Sequence, residues 1–413
     1  RGVLHDAAGP EVGRTLRPAR AASQASPAEA WGAWRGRPVS RVVALCEELA
    51  RDEAFPTVAA WRAAGGRAVG FLPVVSPVEL ASAAGLLPVR LLGGATGRRL
   101  SAARLGSYLC SLVGSTLEQV ASGRPGLDLL VVPPTCDAIR GLGAILARDA
   151  RPPCRTLALP QNARSPHALP FLRSEYARLL AELEELSGRR VGEEALRAAA
   201  ADGARSRELL AALRELRALR PAAVSVDEAF VLARAGTVLP VAEHNALLEA
   251  ALAGLERRRR RERWAPRVLL VGAFCQLPSI DLLRLVARSC HVVDDDLLAG
   301  MSLPSTNGTP GDDPLTALAR AGLESPLDAP VRHRPLPERV EELVRRARFL
   351  QADGVLLAAP KMCEPGLDEQ AGLAAALSAR GVPTFVCELD ESMTGSGPLA
   401  LQLETFVENL GPG

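Results

Sequence analysis

Three cysteines stand in contexts that suit a redox-active metal centre. Cys110 lies in Ser107-Tyr108-Leu109-Cys110-Ser111, Cys136 in Pro133-Pro134-Thr135-Cys136-Asp137, and Cys363 in Pro360-Lys361-Met362-Cys363-Glu364-Pro365. Iron–sulfur clusters are held by cysteine thiolates, and a cluster that also binds substrate needs fewer than four of them so that one iron stays open. Cys136 and Cys363 each closely follow an apolar strand-like run, Leu129–Val132 and Gly354–Ala358, and each precedes a helical pattern. In α/β proteins that carboxyl edge of the strands is where ligands bind. Thr135 suits a helix cap, which would put Cys136 in the first turn, where the helix dipole stabilises a thiolate. Spacing alone leaves a second reading open: no Cys-x-x-Cys pair anchors a cluster, and most cysteines are small buried hydrophobes.

The elements that must position these thiols alternate. Strand-like runs at Val89–Leu92, Leu129–Val132 and Thr156–Leu159 lie among helical stretches such as Ser76–Leu87 and Thr135–Asp149. This alternation predicts a parallel sheet flanked by helices. From about His167 to Trp264 no strand pattern occurs, and Leu, Ala, Glu and Arg recur at helical spacing. A second alternating unit has strands at Val268–Val271, Val292–Val293, Gly354–Ala358 and Thr384–Val386, with helices at Ser279–Arg288, Pro337–Gln351, Leu367–Arg380 and Leu399–Asn409. Ser302–Pro330, rich in Pro, Gly and Asp, reads as a long surface loop. The expected organisation is a poorly ordered arm (1–36), a first α/β domain with Cys110 and Cys136 (37–165), a helical segment (166–264) and a second α/β domain with Cys363 (265–413).

Composition sets the outer bounds. At 413 residues the chain exceeds the usual single core. With 48% hydrophobic but only 3% aromatic residues, its cores must be built from Leu, Val and Ala. A net charge of +2 from 49 basic and 47 acidic residues gives no field for nucleic acid or an anionic membrane. The Arg257–Arg261 run reads as a solvated helix end, since no aromatic residues interleave it. Lys361 is the single lysine and is followed by Met362, which excludes a GxxxxGK[ST] phosphate loop. Eight irregularly spaced cysteines without a recognisable signal peptide fit reduced thiols and a cytoplasmic protein, and no apolar run is long enough to span a membrane.

Several ordered motifs resemble the benzoyl-CoA reductase and 2-hydroxyacyl-CoA dehydratase family. Ser107 through Glu118 and Pro134-Thr135-Cys136-Asp137-Ala138-Ile139-Arg140 look like its cluster-binding region. Upstream, Ser76-Pro77-Val78-Glu79-Leu80 and Ala83-Ala84-Gly85-Leu86-Leu87-Pro88-Val89 match an early signature. Downstream, Leu159-Pro160-Gln161-Asn162, Gly272-Ala273-Phe274-Cys275, Val292-Val293-Asp294-Asp295-Asp296, Lys361-Met362-Cys363-Glu364-Pro365 and Glu404-Thr405-Phe406-Val407-Glu408 follow in order, so the resemblance covers roughly residues 68–410. It departs where an arginine is common after the triple aspartate (here Leu297-Leu298-Ala299-Gly300-Met301-Ser302) and at Ala400.

The resemblance implies two flavodoxin-like doubly wound parallel-sheet domains. Cys110, Cys136 and Cys363 would hold a [4Fe–4S] cluster between them, and acyl-CoA would bind at the open iron. It further implies a second family subunit and a separate ATP-hydrolysing iron–sulfur activator that delivers one electron at a time. The expected activity is reduction of an aromatic acyl-CoA; the alternatives are dehydration of a 2-hydroxyacyl-CoA and a non-catalytic partner subunit, for which the missing arginines speak. Glu79 is a candidate proton-handling carboxylate, set against its simpler place in a Ser76–Glu79 capping box with proline at the first helical position. Cys275 is a candidate lining residue of the cleft. Asp294, Asp295 and Asp296 point alternately at a strand end, which favours hydrogen bonds to loop or helix amides over a metal site. His244 and His333 lack partners at metal spacing.

Overall fold

The computed structural model describes Trp34 and residues 36–73, 76–94, 99–149, 152–259, 264–272, 278–298, 312–324, 334–389 and 397–411. The expected arm thus lies outside the described residues as far as residue 33, whereas Trp34 is buried.

Two four-stranded parallel sheets carry the fold. The first contains β1 (Ala68–Phe71), β2 (Leu87–Arg90), β3 (Leu129–Val132) and β4 (Cys154–Thr156) in the order β2-β1-β3-β4. The second contains β5 (Arg267–Val271), β6 (His291–Asp295), β7 (Gly354–Pro360) and β8 (Thr384–Leu389) in the order β6-β5-β7-β8. Strand for strand the two orders are the same. Each sheet starts at its second-from-edge strand, steps outward once, then crosses back.

The sequence expectation for the second sheet falls inside the observed strands, but the first sheet differs. Its second-from-edge strand, β1, has no counterpart in the sequence expectation. Four fully buried residues interrupted by Gly70 give no periodic signal, and Gly70 is needed because a Cβ there would lie 2.5 Å from Leu127 Cδ1. β2 begins two residues earlier than expected because Pro88 argues locally against a strand. Proline is tolerated there because β2 pairs only with β1 and is an edge strand. The helix expected from Ser76 is α3 (Val78–Ala83), its cap is Pro77, and the Ser76 hydroxyl bonds Leu72 O at 3.2 Å instead of forming a capping box.

The first sheet is preceded by α1 (Val39–Arg51) and α2 (Pro56–Ala63); α4 (Arg99–Ala102) and α5 (Ser111–Ala121) connect β2 to β3, and α6 (Asp137–Asp149) follows β3. Between the sheets stand four helices, α7 (Ala168–Ser187), α8 (Glu193–Leu219), α9 (Val226–Ala235) and α10 (Val241–Arg257), with no described strand among them. The second sheet adds α11 (Ile280–Ser289), α12 (Pro314–Glu324), α13 (Leu336–Phe349), α14 (Glu364–Ser378) and α15 (Gly397–Asn409). Helix α12 sits inside the stretch expected to be a loop. Its start is fixed by Asp313, whose Oδ1 accepts from the amides of Leu315 and Thr316 at 3.1 Å each, with Pro314 at the first helical position.

Packing ignores linear boundaries. α1 lies in the stretch expected to join the first domain, yet Val42, Cys46 and Leu49 share a core with Phe230, Leu247, Leu270 and Ile280. Conversely, Leu315 and Ala319 of α12 join Val69, Phe71, Leu172 and Tyr176 beneath the first sheet. Each half is therefore covered partly by a helix from the other end of the chain.

A charged clamp joins the helices to the second sheet. The β5–β6 register steps by one residue after Val268, pairing Leu269 with Asp294, a local irregularity of the kind that re-aims side chains. Asp294 accepts from Arg214 of α8 and Arg346 of α13, both at 2.6 Å, and Asp295 pairs with Arg217 of α8 at 2.5 Å. The expectation of amide partners thus holds for Asp295, which accepts from Leu297 N at 2.8 Å, and for Asp296, which accepts from Gly272 N at 2.8 Å, whereas Asp294 is held by arginines.

Candidate functional site

The residues following the third strand of each sheet have the same plan. After β3 the chain reads Pro133-Pro134-Thr135-Cys136-Asp137, and after β7 it reads Pro360-Lys361-Met362-Cys363-Glu364. In both, a proline ends or follows the strand, a cysteine comes three residues later, and an acid opens the next helix. Cys136 directly precedes α6 rather than sitting in its first turn, and Cys363 caps α14. Met362 reaches the second position through a left-handed φ of 60°, held by Lys361 N to Leu389 O (2.8 Å) and Cys363 N to Pro360 O (3.0 Å). Cys110 caps α5 in extended conformation and belongs to the core on one side of the first sheet.

The three thiols are within reach of one another's charge. Burial pushes Cys110 up to about 11, the amides of Val113 and Leu112 oppose this, and Cys363 and Cys136 add repulsion. Cys136 is likewise raised, by burial first and then by Cys363, against the opposing amides of Ile139 and Ala138. Cys363 is itself buried. Among the described residues, no three His, Cys, Asp or Glu side chains stand close enough to hold a single metal ion. A cubane is a wider object, because each pair of its ligands is separated by an iron–iron edge as well as two iron–sulfur bonds. Two buried thiols and a half-buried one, within reach of one another's charge but not meeting around one ion and two of them faced by helix-opening amides, fit such a group.

The rim of this region is open. Tyr108 is 73% exposed and Met362 45% exposed, and the Asp137–Arg140 ion pair (3.1 Å) is solvated. The remaining described cysteines differ in setting. Cys46 and Cys290 are buried thiols pushed up to about 12 by burial alone, inside the core shared with the helical layer. Cys275 and His333 lie outside the described residues. His244 is buried, with Nε2 2.9 Å from Leu232 O. Glu79 is buried and accepts from Arg207 Nη1 at 2.9 Å, so its carboxylate is committed to an ion pair.

Two groups at the strand ends stand out in the structure, Arg90, which has no signal in the sequence, and Asp296, which the sequence favours only as a hydrogen-bonding residue. Arg90 closes β2. Asp296 follows β6, the corresponding strand of the second sheet, and its Oδ1 is buried with no hydrogen-bond partner among the described residues. Burial pushes the Asp296 carboxyl up to about 7; the Gly272 amide, Arg346 and Arg339 oppose this, and Asp295 adds to it. A carboxyl raised on folding contributes stability that is complete below its unfolded value near 3.8 and is lost as pH rises through about 7. Asp296→Asn should therefore gain on the wild type between about pH 4 and 7, by at most ~1.4 kcal/mol per pH unit. Denaturation midpoints across that range check this; parallel curves for the two proteins would refute it.

Comparison with known proteins bears on the whole of this architecture. The family model described as 2-hydroxyglutaryl-CoA dehydratase, D-component, matches residues 73–410. The chain is 31% identical over 377 residues to one of the subunits of benzoyl-CoA reductase from Thauera aromatica, covering 89% of this chain and 98% of that one. It is 25% identical over 385 residues to the beta subunit of (R)-2-hydroxyglutaryl-CoA dehydratase of Acidaminococcus fermentans, covering 89% and 100%. It is 22% identical over 349 residues to the beta subunit of (R)-phenyllactyl-CoA dehydratase of Clostridium sporogenes, covering 84% and 92%.

Proposed function

Because this chain belongs to the 2-hydroxyglutaryl-CoA dehydratase D-component family, we propose that it is the iron–sulfur subunit of an ATP-coupled, radical-type acyl-CoA reductase, with Cys110, Cys136 and Cys363 as ligands of a [4Fe–4S] cluster. An enzyme-component role follows from the family, and among the described residues no helix is long and apolar enough to cross a membrane. The observation that carries the cluster assignment is the placement of three mutually sensing thiols at carboxyl-edge loops, two of them at equivalent positions of the two sheets.

Both sheets have the first four strands of the flavodoxin-like order 2-1-3-4-5, in which ligands bind where the strand order reverses. Under this reading the two halves are flavodoxin-like domains and acyl-CoA lies between them, at the third-strand loops. When bound, the cluster supplies single low-potential electrons to a thioester-activated substrate. The protein's own residues hold it, and helix-opening amides beside Cys110 and Cys136 offset its negative charge. Exposed Tyr108 and Met362 leave the rim to be covered by a second family subunit, and an ATP-hydrolysing iron–sulfur activator serves as electron donor.

Identity to the reductase subunit, 31% against 22–25% for the dehydratase subunits, favours reduction of an aromatic acyl-CoA. Dehydration of a 2-hydroxyacyl-CoA is the second reading, since dehydratase subunits align over almost their full lengths. A test is anaerobic purification with iron and sulfide determination and electron paramagnetic resonance, followed by an acyl-CoA panel with partner subunit, activator, ATP and reductant. Iron and acid-labile sulfide in equal amounts, with turnover of an aromatic thioester, is the expected result; anaerobic protein without iron overturns it.

A further inference from the structure

The edge of the first sheet that carries Cys110 and Cys136 also holds an unbalanced positive charge. Arg90 closes β2, its backbone N–H donating to Thr237 O at 2.8 Å, and Val238 packs into the same core as Leu91 and Cys110. Among the described residues, the charges that act on the Arg90 guanidinium are those of Glu79 and Arg207. Glu79 is already bound to Arg207, so two guanidiniums share one carboxylate and one positive charge is left over.

The hydrogen bonds agree. The Nε atoms of both Arg90 and Arg207 are buried and, among the described residues, without an acceptor. His244, the other titratable group nearby, supplies no anion. Its Nε2 is spent on Leu232 O, and burial, with the Arg90 charge adding to it, pushes it down to about 4. The short stretches 74–75 and 95–98 that flank these elements contain no Asp or Glu. Burial lowers Arg90 itself to about 10, against the pull of Glu79. A desolvated guanidinium with donors to spare binds carboxylate or phosphate strongly, because part of the desolvation is already met and both groups match its planar fork. Arg90 is half-buried as a residue although its Nε is enclosed, which leaves part of the side chain open to an anion.

We propose that Arg90, backed by the Glu79–Arg207 pair, is the anchor of an anion-binding site that takes one carboxylate or phosphate group of a ligand lying along the carboxyl edge of the first sheet. The site itself stands on the balance of charges around Arg90. Only the identification of its ligand as part of an acyl-CoA, whose coenzyme carries phosphates, rests on the function proposed above.

The test uses the full chain and its thermal midpoint at constant ionic strength, with inorganic phosphate, benzoate, coenzyme A and phosphate-free pantetheine as probes. Wild type should be stabilised by at least one anion and not by pantetheine; coenzyme A and phosphate against benzoate separates the phosphate from the carboxylate source. Arg90→Met should weaken that response about ten- to a hundred-fold in apparent affinity, the loss of a charge-assisted contact. Glu79→Gln, which removes the one compensating carboxylate, should respond at lower anion concentration than wild type and keeps the test open if Arg90→Met fails to fold. Equal responses in wild type and the variants, or none in wild type, overturn the site. Anion binding that depends on Arg90 in a protein inactive on every acyl-CoA would leave the site standing and sink the functional reading alone.

Discussion

Anaerobically prepared Cys136→Ala and Cys363→Ala should each lose most of their cluster iron, and Cys110→Ala should do the same, whereas Cys46→Ala and Cys290→Ala should keep it. Three thiolates are the fewest that hold a cubane with one iron open, so removing one leaves too few. The controls are informative because Cys46 and Cys290 are buried more deeply than the three candidates and sit in the core shared with the helical layer, where burial alone shifts them. The measurement is iron and sulfide per folded chain, with circular dichroism to confirm that each variant is folded. Equal iron in all five variants would remove the assignment, because the three cysteines would then be no different from the two controls.

Asp294→Ala should destabilise the fold by about 3 kcal/mol, the lower end of what breaking a buried ion pair costs. Its carboxylate is one-tenth exposed and holds Arg346, 15% exposed, together with Arg214, 45% exposed. The Arg346 contact therefore carries most of the effect, and the Arg214 contact is screened by solvent. Burial alone would raise the Asp294 carboxyl, yet Arg214 and Arg346 hold it below its ordinary value, so its contribution is present above the unfolded value and fades as pH falls through the folded one. Urea denaturation at neutral pH checks the magnitude. A loss under 1 kcal/mol would mean that the Asp294 contacts are no better than a surface pair and that apolar packing and the Arg217–Asp295 pair hold α8 to the second sheet.

Legibility in the sequence follows burial pattern. The two central strands of the second sheet are readable because Val268–Val271 and Val355–Ala358 are continuous apolar runs of the kind a parallel sheet demands, while at the edges shorter apolar stretches, Val292–Val293 and Phe385–Val386, mark the strands. β1 is not readable because four residues containing a glycine fall below the length at which periodicity means anything. The helix at Pro314–Glu324 is concealed by its surroundings, since the same Pro and Asp that mark loops also start helices. The cysteines stand out by context and by resemblance. What no local pattern can reveal is Arg90 and Asp296 as unsatisfied groups, because being unsatisfied depends on which distant side chains fail to arrive: Glu79 for Arg90 is already taken by Arg207 from the helical layer. The exchange of α1 and α12 between the halves is hidden for the same reason, as partners far apart in the chain are chosen by shape and not by spacing.

The matching strand orders make the chain one plan used twice, so that residues at corresponding loops fall into pairs. Cys136 and Cys363 are one such pair. Cys110 is not: the helix that enters β3 is capped by Cys110, while α13, which enters β7, is capped by Pro335. Odd parity follows from that single difference. A centre built on a two-fold axis by symmetric halves would have two or four protein ligands and equivalent faces. Under the proposed ligand set, a third ligand drawn from one half alone would make the faces inequivalent and leave one side of the centre for a guest.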